Sequence, residues 1–232
     1  MFADHRRALW YALALLASLG FVLVAVGRHP PVLAPLTSLP FVGRFDQQMY
    51  DAVDNIRVTP MTWLFRFLNV VGGGFVTIPI RAIASIYLLA RRWWRRAAGF
   101  IVTWAVSELV LTGLKAWYHR GRPPESLVDI VGYSFPSGHA TAGAATAVAL
   151  VLAFFPAGPL RRKWEWIAVV FAFVMAFSRV YLHAHWFSDV VAGVLLGSGI
   201  ALGAFALANE VSSLVLDRPV DRPPQPETAA DA

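Results

Sequence analysis

The chain has 232 residues, of which 57% are hydrophobic and 15% charged, against roughly 45–50% and about 25% in ordinary soluble domains. A disordered chain is excluded, and the apolar residues are gathered into long blocks instead of helical stripes, the pattern of a polytopic membrane protein. Its formal charge of +6 comes from short basic clusters between those blocks, where membrane orientation signals belong, so nucleic acid is not an expected partner; the absence of cysteine rules out disulfides, thiolate metal sites and thiol nucleophiles.

The first apolar block, residues 8–27, follows Arg6-Arg7 and precedes Arg28-His29-Pro30-Pro31. At ~20 residues it exceeds a signal-peptide core of about 7–15 and lacks a small-x-small cleavage site, so it reads as an uncleaved membrane helix. A polar stretch follows in which Phe45, Met49, Tyr50, Val53 and Ile56 recur at mostly helical spacing among Asp46, Gln47, Gln48, Asp51 and Asp54. That pattern predicts a short amphipathic helix at the bilayer surface. The second block, 61–90, is interrupted by Gly72-Gly73-Gly74 and Pro79, which membrane helices tolerate. Its glycines do not form a phosphate loop, because no Lys-Ser/Thr follows and no strand precedes. Further blocks at 97–115, 138–155, 164–182 and 190–208 bring the predicted spans to six. The fold class is therefore all-α, with one membrane domain over 1–216 and a proline-rich, disordered cytoplasmic tail over 217–232.

Arg6 and Arg7, then Arg91, Arg92, Arg95 and Arg96, then Arg161, Arg162 and Lys163, then Arg218 and Arg222 all fall on one side of this layout. By the positive-inside rule that side is cytoplasmic, with both termini inside a plasma membrane. Two outward segments break the rule. The connection between spans three and four carries Lys115, His119, Arg120 and Arg122; the junction between spans five and six carries Arg179, His183 and His185, followed by Asp189. Headgroup snorkelling accounts for any one of these cations, but not for their concentration beside histidines and Gly/Pro turns.

Lys115 ends a span, and Arg122 is held by Pro123, two cations a short loop apart that suit a phosphate. Ser134-Phe135-Pro136-Ser137-Gly138-His139 ends a loop and opens a helix, so Ser137, Gly138 and His139 are expected to present free N–H groups at a positive helix end. Arg179 adds a third cation. His185 and Asp189, at i and i+4, are expected on one helix face, with the carboxylate holding one imidazole nitrogen protonated and the other free to attack.

The pattern K-x6-R-P, then P-S-G-H, then S-R-x5-H-x3-D resembles the three signature motifs of the type-2 phosphatidic acid phosphatase superfamily, the lipid phosphate phosphatases, whose site is shared with vanadium haloperoxidases. Every motif position is filled, over residues 115–189, about a third of the chain. The resemblance implies His185 as nucleophile forming a phosphohistidine, Asp189 as its support, and His139 as general acid and then base. It implies Lys115, Arg122 and Arg179 as phosphate clamps, with Ser137 and the Gly138 N–H completing the cradle. Three cations with helix-end donors take the place of a metal, so no metal or cofactor is expected.

Other residues are left with plainer expectations. His183 reads as interfacial and Tyr133 and Trp186 as belt aromatics. His119 and Arg120, in the first motif's spacer, are candidates for a headgroup or second phosphate. Arg81 and Glu108, at similar depth in spans two and three, are expected to pair as a structural bridge. Gly193-Val-Leu-Leu-Gly197 is a small-xxx-small pattern, for packing inside the bundle or, less favoured, for a homodimer face. The resulting expectation is a membrane phosphatase acting on the terminal phosphate of a lipid phosphate or polyprenyl diphosphate at the outer interface. A phosphotransferase on the same site and a non-catalytic lipid-phosphate binder remain as alternatives; a peroxidase is disfavoured because the chain lacks a large globular domain.

Overall fold

The structure, a computed structural model, describes residues 5–27 and 40–216; the tail expected at 217–232 lies outside the described residues. Every regular element among them is an α-helix: α1 (His5–Val26), α2 (Pro40–Asn55), α3 (Thr59–Val71), α4 (Gly74–Ala90), α5 (Trp94–Tyr118), α6 (Gly138–Phe154), α7 (Pro159–Tyr181) and α8 (Phe187–Leu216). The all-helical expectation holds. Helices α1, α5, α7 and α8 are long and apolar enough to cross a membrane, and α3 with α4, bent by 45°, make a fifth if the broken pair counts as one span. α6 is apolar but has 17 residues, about 25 Å at ~1.5 Å per residue, slightly short of a ~30 Å hydrocarbon core.

Local sequence sets the breaks. Pro60 sits in the first turn of α3, where its missing N–H costs no helical bond. The Gly72-Gly73 pair between α3 and α4 is where the expected second span bends. Ser137 caps α6, and Gly158-Pro159 opens α7.

α8 packs along α1, α5 and α6, and α6 lies between α5, α7 and α8. Its run of Ala, Gly and Thr lets neighbouring backbones approach closely. A Cβ on Gly193 would lie 2.7 Å from the Ser137 carbonyl oxygen, and one on Gly197 would run into the carbonyl oxygen of Thr141. The small-xxx-small face is thus filled by α6 of the same chain, the first of the two expected uses.

One buried cluster, with Ala8, Leu88, Phe100, Leu152 and Leu202, marks the end of the bundle nearest the basic turns. Tyr118, Phe135, Leu182, Ala184 and Val190 belong to clusters at the opposite end. Between the ends, Arg81 Nη1 donates to Glu108 Oε1 at 2.6 Å, and the same guanidinium reaches Thr146 Oγ1 and the Ala142 carbonyl, tying α4 to α5 and α6. The expected bridge is present. α2 lies over the end opposite the basic turns, contacting α7 and α8.

Candidate active site

The junction from α7 to α8 folds around one carbonyl. Arg179 O accepts the N–H groups of both Ala184, at 3.0 Å, and His185, at 3.2 Å, winding residues 182–186 into a tight loop. His185, 3% exposed, therefore stands just ahead of α8 and not on it. The expected i, i+4 pairing on a helix face is corrected: the contact is made by a capping arrangement. Asp189, in the first turn of α8, turns Oδ2 back to accept the Trp186 N–H at 2.9 Å. The same oxygen lies 3.4 Å from His185 Nδ1. On the other side of the ring, Arg122 Nη1 lies 3.2 Å from Nε2. A guanidinium only donates, so Nε2 is the accepting nitrogen and the ring proton belongs on Nδ1, facing the carboxylate. Burial, reinforced by Arg179 and Arg122 and opposed by Asp189, pushes the His185 imidazole down to about 4. The ring is neutral at physiological pH, with its lone pair on Nε2.

Two of the three cations are held by backbone carbonyls. Arg122 donates to the carbonyls of Gly132, Ala184, Val131 and Tyr133, and burial lowers its pKa from the usual guanidinium value. Lys115 Nζ donates to the Tyr133 carbonyl at 2.6 Å. Arg179 is fully buried; Nη1 donates to Asn69 Oδ1 at 2.5 Å, while Nε and Nη2 are buried without a partner. Two unpaired guanidinium donors in the interior are costly unless a ligand takes them. An oxyanion matches that need, because a guanidinium fork fits phosphate oxygens.

The α6 N-terminus completes the wall. Ser137 departs from its expected use: its hydroxyl accepts the Ala140 N–H as the helix cap, and its own N–H donates to the Asp189 carbonyl at 3.0 Å. That bond ties the starts of α6 and α8 together and leaves the first-turn N–H of Gly138, not that of Ser137, for an anion. His139 Nε2 donates to the Asn69 carbonyl at 3.0 Å. The chain break after α3 makes this possible. A Cβ on Gly72 would lie 3.0 Å from His139 Cδ2 and closer still to Met175, so the glycine run, read in sequence only as a tolerated interruption, is where α3 passes against the site.

The structure thus joins His139, Arg179, His185, Asp189, Arg122 and Lys115 through short links at one end of the bundle. Two contributors went unnoticed in the sequence. Asn69, which links His139 to Arg179, is a lone amide in an apolar block, a signal in itself. Asp46 is 2% exposed and reaches the site through Arg120. Arg120 faces inward, to Asp189 and Asp46, and not toward a headgroup. His119 caps α5 in the left-handed conformation, its ring edge-on to Tyr133 at 4.4 Å. His183 is buried and stacked on Tyr50 at 3.7 Å, with burial lowering its pKa; it locks α2 to the loop. Trp186 donates its indole N–H to the Gly121 carbonyl.

Comparison with known proteins bears on this arrangement. The chain is 31% identical to undecaprenyl-diphosphatase of Sulfolobus acidocaldarius over 164 residues, 68% of this chain and 75% of that protein. It is 36% identical to phosphatidylglycerophosphatase B of Bacillus subtilis over 104 residues, 42% of this chain and 50% of that protein. The crystal structure of the transmembrane PAP2 type phosphatidylglycerolphosphate phosphatase from Bacillus subtilis superimposes with a TM-score of 0.72 at 23% identity, covering 89% of this chain and 98% of that one. Residues 96–212, which hold all three motifs, match the PAP2 superfamily. A multi-pass helical bundle with these motifs gathered at one end belongs to the membrane branch of that family: the chain is a member of the PAP2 superfamily.

Proposed function

We propose that the protein is an integral-membrane phosphatase that removes the terminal phosphate of a lipid phosphate or polyprenyl diphosphate through a phosphohistidine. The observation that carries this reading is the pair of buried, unpartnered Arg179 nitrogens beside a neutral His185 whose Nε2 faces a second guanidinium. Names of relatives point the same way: undecaprenyl-diphosphatase and phosphatidylglycerophosphatase B.

In this reading Arg179, Arg122, Lys115 and the Gly138 N–H take the non-bridging oxygens, and Nε2 of His185 attacks phosphorus. The phosphorus–oxygen bond to the lipid breaks, and the leaving oxygen takes the Nδ1 proton of a His139 that enters the step as imidazolium beside the substrate's negative charge, its Nε2–H remaining on the Asn69 carbonyl. The N–P bond leaves the imidazole cationic, and the buried Asp189 carboxylate beside Nδ1 stabilises that charge. Water then attacks the phosphohistidine, His139 accepts its proton, the N–P bond breaks and inorganic phosphate departs. Charge stabilisation comes from side chains throughout, so the steps need no metal.

An apolar groove of about 520 Å³ between α3, α4, α6 and α7 supports a lipid substrate. It begins at Gly72 and Gly143, beside His139, and runs to Phe154 and Trp164, about 16 Å along α6 at ~1.5 Å per residue. That accommodates a hydrocarbon chain anchored by its phosphate end. Six spans, with α3–α4 as one broken span and α6 as a short central one, α2 on the bilayer surface and the site outward, follow from the apolar blocks and the positive-inside rule. Residues 1–216 would then be one membrane domain in the plasma membrane.

The test is phosphate release by detergent-purified protein in EDTA from phosphatidic acid, phosphatidylglycerol phosphate and a polyprenyl diphosphate, with His185→Ala alongside. Release that persists in EDTA and is lost in His185→Ala is expected. Equal release by His185→Ala would overturn the nucleophile, and release restored only by Mg²⁺ would overturn the metal-free clamp.

A further inference from the structure

We propose that Asp46 of α2 and Arg120 of the α5–α6 connection form a positioning unit for Asp189, and that the Asp46 charge assists the chemical step without touching substrate. The inference rests on His185 as nucleophile, the reading given above.

The two oxygens of Asp189, which is fully buried, are divided. Oδ2 takes the Trp186 N–H and faces His185 Nδ1; Oδ1 takes Arg120 Nη1 at 2.5 Å. Arg120 is fixed in turn: Nη2 donates to Asp46 Oδ2 at 2.6 Å and Nη1 also reaches Ser188 Oγ at 2.7 Å. Asp46 accepts the Ser188 N–H on Oδ1 at 2.8 Å and the Ser188 hydroxyl on Oδ2 at 2.6 Å. One carboxylate from the second helix therefore holds both the first turn of α8 and the guanidinium that orients the catalytic aspartate.

Charge explains why a second buried carboxylate is useful. If Arg120 and Asp189 stood alone they would form a neutral pair, and Arg120 would draw Asp189 away from the imidazole. Asp46 shares that guanidinium, so the row Asp46–Arg120–Asp189 carries one net negative charge in the resting site, where His185 is neutral. The imbalance is removed when attack makes the imidazole cationic. Surplus negative charge in this row, on the Nδ1 side of a ring that becomes positive, favours the transition state over the ground state, the condition for raising kcat. Binding of the phosphate itself, made on the other side of the ring by Arg122, Arg179 and Lys115, gains nothing from Asp46.

Asp46→Asn keeps the shape and the Oδ1 acceptor for the Ser188 N–H while removing the charge. It is expected to lower kcat about tenfold or more, with KM and the inhibition constant of inorganic phosphate within about twofold of wild type; the melting midpoint should fall, because the amide NH2 replaces the oxygen that accepts from Arg120 Nη2 and the Ser188 hydroxyl. In an Asp189→Asn background the same change should have little further effect, because it acts through that residue. Arg120→Lys, which keeps one charge but loses the planar fork that spans two carboxylates, should show the same kcat-only loss, and decides the question if Asp46→Asn does not fold. Wild-type kcat in Asp46→Asn, or parallel rises in KM and phosphate inhibition constant at constant kcat, would overturn the proposal. His185→Ala, measured beside these, separates the two ideas. Activity in His185→Ala overturns the nucleophile, whereas an inactive His185→Ala with a fully active Asp46→Asn overturns only the positioning unit.

Discussion

A buried imidazole with the charges of Arg122 and Arg179 acting on it has little reason to hold a second proton, and the Asp189 carboxylate that faces its Nδ1 is already shared with Arg120. His185 should therefore stay neutral down to about pH 4, well below the ~6.5 of a free histidine. The unfolded chain binds this proton more tightly, so the contribution to stability is complete above pH ~6.5 and is lost as the pH falls toward the folded value. NMR of isotope-labelled histidine in detergent, assigned with His185→Gln and recorded without substrate, reads the midpoint directly; a value near 6.5 would mean that water reaches the ring freely. Asn69 is a second residue-scale case. Removing its side chain leaves Arg179 with a third unpaired nitrogen, so Asn69→Ala should weaken inhibition by inorganic phosphate roughly tenfold, the effect of about 1.5 kcal/mol for a hydrogen bond to a charged group. Unchanged inhibition would mean that Arg179 needs no such anchor.

At the scale of the helices, the site depends on how closely α6 and α8 approach, since the Ser137–Asp189 bond joins their first turns. Gly193 and Gly197 set that distance against backbone, which yields less than a side chain would. Gly197→Val should cost about 2–3 kcal/mol by overpacking, seen as a lower melting midpoint in detergent. Gly113→Ala on α5, where a Cβ meets nothing within 4 Å, should be neutral or slightly stabilising. Equal midpoints for the two variants would refute close α6–α8 packing. The elements also show what was legible in the sequence. Helices α1, α5, α7 and α8 coincide with apolar blocks because burial in lipid requires continuous hydrophobicity, and the motif residues converge because their spacing places them at span ends. Two details did not follow. The hydrogen-bonded turn around Arg179 O uncoils the chain before His185, which no periodicity registers. Asp46 acts through partners 74 and 142 residues distant, Asn69 through one 110 residues distant and Arg120 through Asp46 and Asp189, 74 and 69 residues distant, contacts that exist only once the bundle is assembled.

For the molecule as a whole, the proposed phosphate clamp at one end and the apolar groove running from it toward the other would have a substrate read in two parts. Such a clamp would take any terminal phosphate, whereas the groove would see only the chain. Ala147 lines the groove on α6 and is only partly buried, and none of the cations is among the residues that line the groove. Ala147→Phe should therefore raise KM for a long-chain lipid phosphate about fivefold or more, the loss of at least one buried methylene at ~0.8 kcal/mol, while kcat/KM for a short-chain, water-soluble phosphate ester stays within about twofold. Steady-state kinetics on the two substrates in the same detergent decides it. Loss of activity toward both would mean that the substitution disturbs the clamp, and loss toward neither would mean that the chain lies elsewhere in the membrane, with the groove occupied by ordinary lipid.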